Sequence, residues 1–125
     1  SWRTMARRES AKVVPARVNL GNLLLREGEA VAAAEHLRAA VELAPAEARP
    51  HLFLARAQLA QGELDAALAS ARAGLERARG DDLRALACYL MADVYSRQGR
   101  RAELEDAVTR ARRYEAQMRA PRRAG

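Results

Sequence analysis

The chain has 125 residues, of which half are hydrophobic and 30% are charged, and its net charge is +6. That length allows one domain or one short array of repeats. A single cysteine, Cys88, excludes an internal disulfide and a cysteine-based zinc cluster, and no apolar run approaches the roughly 20 residues that a helix needs to cross a bilayer. Alanine, leucine, arginine and glutamate dominate, so the composition favours helices over strands.

The positive charge is concentrated at the two ends of the chain. Residues 1–12 carry four basic side chains against one acidic one, and residues 110–125 carry six against one. Proteins that bind nucleic acid more often gather basic residues on one folded face, so nucleic acid is not the expected partner. With no signal peptide in view, we expect a cytoplasmic location. Because the chain starts at Ser1, a piece of a larger or membrane-attached protein remains an open alternative.

The N-terminal residues predict two separate helices. Residues 1–12 place Trp2 and Met5 on one side of a short helix. Pro15 suits the first turn of the next helix, where its missing N–H costs nothing, and that helix is predicted to run to about Glu27.

Three glycines mark predicted turns between helices. Gly28, Gly62 and Gly99 each follow a helical stretch, and a glycine just past a helix end adopts the left-handed conformation that other residues resist. The first two are separated by 34 residues and the last two by 37. The predicted helices around these turns cover about 30–44, 49–61, 64–78, 83–98 and 101–118.

Small side chains recur in step when the hairpins are aligned on the turn glycines. Two helices can approach closely only where side chains are small, so this recurrence indicates paired helices that nest. The aligned positions are Gly21, Ala55 and Ala92 in the first helices, and Ala33, Ala67, Leu104, Ala40, Gly74 and Ala111 in the second helices.

These features resemble the tetratricopeptide repeat family over roughly residues 14–116. The segments NLGNLLLREGE, AAAEHLRAAVELAP and QGELDAALASARAGL carry the resemblance, and a period of 34 residues is typical of the family. Departures are Leu104, where a small residue is usual, and Arg17, His51 and Cys88, where the family has a bulky aromatic residue.

The resemblance implies an all-α fold, a right-handed superhelical array of antiparallel helix hairpins. The single domain would cover 1–120, with repeats at about 14–47, 48–81 and 85–118. The N-terminal helix and the long C-terminal helix would cap the array, and 121–125 would form a disordered basic tail.

The resemblance also implies a binding site for a partner peptide on the concave side. Asn22 has an amide that can both donate to and accept from a peptide backbone, and Arg26 with Arg56 could hold a carboxylate. The predicted peptide-binding residues are Val18, Asn22, Leu25, Arg26, Leu52, Arg56, Leu59, Tyr89, Asp93 and Arg97. Val18, Leu52 and Tyr89 are predicted to form one apolar row, and Leu25 with Leu59 another.

No residue set in the sequence predicts catalysis, a cofactor or a metal site. His36 and His51 are isolated from other ligand-type residues at any zinc-site spacing, and Cys88 on an apolar helix indicates packing. The expected function is therefore a non-enzymatic scaffold for protein–protein interaction.

Two alternatives remain open. One is a self-associating structural module, a possible homo-oligomer, that pairs through Leu104, Val108, Tyr114 and Met118. The other is a regulatory or substrate-selecting segment of a larger enzyme such as a membrane glycosyltransferase.

Overall fold

The computed structural model describes residues 1–121, apart from the side chain of Ser10. Consecutive helices pack as three hairpins, and each hairpin packs on the next through the second helix of one and the first helix of the following one. Within the described span the predicted all-α array is confirmed, and the predicted tail at 121–125 lies, except for Pro121, outside the described residues. The helices are α1 (Trp2–Arg26), α2 (Ala30–Leu43), α3 (Ala48–Ala60), α4 (Leu64–Arg77), α5 (Asp81–Gln98) and α6 (Arg101–Arg119).

The three hairpin turns close in the same way. Gly28, Gly62 and Gly99 have φ angles of 80°, 74° and 71°. At the second turn, the N–H of Gly62 donates to the carbonyl of Leu59 at 3.0 Å, and the N–H of Glu63 donates to the carbonyl of Gln58 at 2.9 Å. This pair of bonds satisfies carbonyls that the helix end would otherwise leave unpaired. The predicted left-handed glycine turns are confirmed.

Two glycines let buried leucines lie directly on a helix backbone. A Cβ atom built on Gly21 would lie 2.7 Å from Cγ of Leu37, and one built on Gly74 would lie 2.2 Å from Cδ2 of Leu52. Both leucines are 0% exposed. Since real Cβ atoms do not approach carbon that closely, the absence of a side chain at these two positions is what allows the helices to nest.

The prediction of two separate N-terminal helices is wrong, because α1 is continuous and contains Pro15. Proline cannot donate an N–H, so the carbonyl of Ala11 lacks its usual partner one turn later. Val14 and Val18 lie on either side of the proline and pack into the core between α1, α2 and α3. These contacts hold the chain helical across the proline and outweigh the local cost.

The N-terminal part of α1 extends beyond its partner helix. α1 has 25 residues and α2 has 14, so at 1.5 Å per residue α1 is longer by about 16 Å. We call residues 2–12 the overhang. Its Trp2 and Met5 are 74% and 66% exposed, so the overhang is an exposed extension of the first repeat rather than a separate cap.

The loop between the first two hairpins is fixed by two donors to one carbonyl. The carbonyl of Pro45 accepts a bond from Nε2 of His51 at 2.9 Å and one from Nε of Arg77 at 2.7 Å. His51 is buried, and because a carbonyl only accepts, its Nε2 carries the proton. This clamp joins α3 and α4 to the loop and fixes where α3 begins.

Candidate functional site

The contacts between helices identify the inner side of the array. α3 packs against both α1 and α5, whereas α2, α4 and α6 do not contact one another within residues 1–121. When the helices of one layer touch and those of the other layer are spread apart, the array bends so that the layer of touching helices is on the concave side. The surface of α1, α3 and α5 that faces away from α2, α4 and α6 is therefore the concave side, and we call it the inner face.

Three of the predicted binding residues lie in the core instead. Val18, Leu52 and Leu59 are 6%, 0% and 4% exposed, and Leu52 packs against the backbone of α4 at Gly74. Leu25 is half-buried against the cluster between α1 and α3. The two apolar rows expected on the inner face are thus wrong as a ligand surface, because these side chains are occupied in holding adjacent helices together.

The polar candidates on α1 and α3 are accessible. Asn22 is half-buried, and Arg26 and Arg56 are exposed. The guanidinium of Arg56 stacks 5.2 Å above the ring of Phe53, a contact that restrains the side chain and leaves its N–H groups at the surface. Neither arginine forms a salt bridge within residues 1–121.

The candidates on α5 are engaged with other parts of the protein. Arg97 donates to Asp93 at 3.0 Å and to the carbonyl of Leu59 at 2.9 Å, which ties α5 to the end of α3. Tyr89 donates to the carboxylate of Glu115 on α6, and this hydrogen bond raises the pKa of the phenol above its usual value. Tyr89 therefore faces α6 and does not continue a row from Leu52.

A cavity that the sequence did not reveal lies beneath the overhang. It is an open pocket with a volume of about 540 Å³, bordered by α1, the end of α2 and the start of α3. The prediction of a helix break before Pro15 hid it, because Arg7 and Ala11 join its wall only if the helix continues. Its walls include Arg7, Val14, Val18, Leu43, Arg49 and Pro50.

The residues that could perform chemistry are scattered. Within residues 1–121, no three His, Cys, Asp or Glu side chains are grouped so that they could hold a metal ion. Cys88 is 0% exposed, and burial raises the pKa of its thiol, with Arg110 opposing and Asp106 adding to that shift. A buried thiol with a raised pKa is a poor nucleophile. No helix in the described part of the chain is both long and apolar enough to span a membrane.

Comparisons with known proteins agree with this architecture. A family profile described as "Tetratricopeptide repeat" matches residues 24–87. The structure of the globular C-terminal domain of LpoP from P. aeruginosa superposes with a TM-score of 0.74 at 32% sequence identity, covering 79% of this chain and 94% of that one. No curated protein sequence matches the chain. With half of its residues matched by the family profile and three stacked hairpins in its fold, the chain belongs to the tetratricopeptide repeat family.

Proposed function

We propose that this chain is a non-enzymatic protein-interaction module whose inner face holds a segment of a partner protein. The proposal is supported by three polar side chains, Asn22 and Arg26 on α1 and Arg56 on α3, two helices that are in contact. These side chains are accessible and are not paired with acidic residues within the described span. They lie on a layer of helices that packing makes concave.

The chemistry of this surface favours an acidic partner segment. A guanidinium binds a carboxylate through two parallel hydrogen bonds, and Arg56 is held in place by Phe53, so little side-chain freedom is lost on binding. The amide of Asn22 can pair with the backbone of an extended segment. The partner would therefore lie across α1 and α3, with its carboxylates toward the two arginines.

A charge reversal on the inner face tests the proposal. Partners captured by the intact chain from its own cell lysate are compared with those captured by Arg56→Glu and by Arg113→Glu, a matched reversal at an exposed position on the outer helix α6. We expect Arg56→Glu alone to lose the partner. Equal capture by both variants, with unchanged circular dichroism, would remove the inner face from the site.

Self-association is the second candidate, and the surface that favours it differs from the one expected from the sequence. Leu104 and Val108 pack against the core, whereas Met118 is a large apolar side chain of α6 that is exposed, at 54%. The outer edge of α1 instead exposes four large apolar side chains, Trp2 and Met5 together with Leu20 and Leu23 at 39% and 49%. At helical spacing these four share one side of α1.

Leu20 and Leu23 are neighbours on this side of α1, and an exposed apolar patch often marks a contact. Light scattering over a concentration series separates the two candidates. A strict monomer at every concentration leaves the inner face as the explanation. A dimer that Leu23→Glu dissociates supports self-association through α1.

A further inference from the structure

The cavity beneath the overhang combines an apolar floor with a basic rim. Val14 and Leu43 give the cavity accessible apolar surface, while Val18 and Pro50, which also line it, are almost fully buried. A volume of about 540 Å³ falls within the range of sites that hold ligands. A surface with this floor gains by covering large apolar side chains.

The charges around the cavity favour an anionic group. Arg7 on α1 and Arg49 in the first turn of α3 both line it, opposed by Glu47 alone. Neither guanidinium forms a salt bridge or a hydrogen bond within residues 1–121, and both side chains are exposed. The overhang adds three more cations, Arg3 among them, against one acidic side chain, so the potential at the mouth of the cavity is positive.

Two residues of the proline turn in α1, Ala11 and Pro15, also line the cavity. Ala11 is exposed, so a larger side chain at this position would take up space in the cavity.

The charge pattern argues against a second copy of this chain as the occupant. The C-terminal half of α6, the other end of the array, carries Arg110, Arg112, Arg113 and Arg119 against Glu115. Placing that end on the basic overhang would bring like charges together, which costs energy at an interface. An acidic partner brings no such repulsion.

We propose that this cavity, which adjoins the inner face along the same side of α1, is a second docking site for an acidic protein segment that carries a large apolar side chain beside a carboxylate. The apolar side chain enters between α1 and the start of α3. The carboxylate pairs with Arg7 and Arg49.

The test uses a phage-displayed library of random short peptides selected on the intact chain. We expect enriched peptides to carry Asp or Glu next to Leu or Phe. Synthetic copies are then titrated against Arg49→Glu, which reverses a charge on the rim, and Ala11→Trp, which fills the cavity from an exposed helix position. Arg3→Glu is the matched control, since Arg3 makes the same charge change on the overhang, where it stacks on Trp2 at 5.6 Å and does not line the cavity.

Both cavity variants should weaken binding by about tenfold or more, the factor expected when a charge-assisted hydrogen bond or the occupied space is lost, while Arg3→Glu changes it much less. Recovery of no peptide, recovery of peptides without acidic residues, or equal weakening by Arg3→Glu and Arg49→Glu would overturn the proposal. Loss of binding in Arg56→Glu but not in Arg49→Glu would overturn it too, and would support the inner face instead. Loss of peptide binding in Arg49→Glu but not in Arg56→Glu supports the cavity as a docking site, whether or not the inner face binds a partner.

Discussion

Replacing Gly74 by alanine adds one methyl group where the side chain of Leu52 on α3 lies against α4. In an exposed helix this change stabilises by about 1 kcal/mol, because alanine is the better helix former. Here the new Cβ would lie 2.2 Å from Cδ2 and 2.5 Å from Cγ of Leu52, a side chain that is 0% exposed. Overpacking of a filled core costs roughly 1–3 kcal/mol, so we expect Gly74→Ala to lower the free energy of unfolding by about 1 kcal/mol net.

A second background reverses the sign of that effect. Leu52→Ala removes both clashing atoms and by itself should cost roughly 2–5 kcal/mol. In that background the new Cβ keeps only an ordinary contact with the carbonyl oxygen of Ala48 at 3.5 Å, so Gly74→Ala should raise the free energy of unfolding by about 1 kcal/mol. The coupling between the two sites is then about 2 kcal/mol, within the range of directly contacting residues.

Urea denaturation followed by circular dichroism measures all four proteins. The same change in free energy for Gly74→Ala in both backgrounds would mean that Leu52 does not lie on the backbone of α4. The nesting that holds the hairpins together would then be wrong at its tightest point.

Three further predictions concern a turn, a clamp and a titration. Gly62→Ala should lower stability by about 1 kcal/mol, because φ is 74° and nothing lies within 4 Å of the new Cβ; an unchanged melting temperature would contradict the left-handed turn. His51→Phe keeps an aromatic ring but loses the bond to the carbonyl of Pro45, and calorimetry should show a loss of about 1 kcal/mol, whereas a more stable variant would show that the clamp contributes nothing. Glu115→Gln should lower the pKa of Tyr89, measured by phenolate absorbance, since the bond to the carboxylate raises it. Because the folded pKa is raised, this bond stabilises the fold below the unfolded pKa of tyrosine, and its contribution is lost as pH rises through the folded value.

The fold could be predicted because its determinants are local in sequence. The turn glycines need a positive φ that only glycine adopts freely, and Gly21 and Gly74 lie in register with small residues of the other repeats. Pro15 misled the same reasoning. Local hydrogen bonding predicts that a helix begins at the proline. The helix instead continues through it, because Val14 and Val18 pack against residues of α2 and α3.

The candidate site was less predictable, because a helix with two apolar sides does not show in its sequence which side is covered. Leu52 belongs to the core only because Gly74, 22 positions away, admits it. From the sequence, Arg97 was predicted to bind a ligand. In the structure it donates to the carbonyl of Leu59 and so joins two repeats. Arg56 remains a candidate because its guanidinium stacks on Phe53 of its own helix and is described in no hydrogen bond to another helix.

The most direct test of the central claim is amide chemical-shift mapping during titration with a captured partner segment. The account predicts that shifts concentrate at Asn22, Arg26 and Arg56, the accessible polar positions of α1 and α3. Shifts confined to α4 and α6, on the outer side of the array, would contradict it.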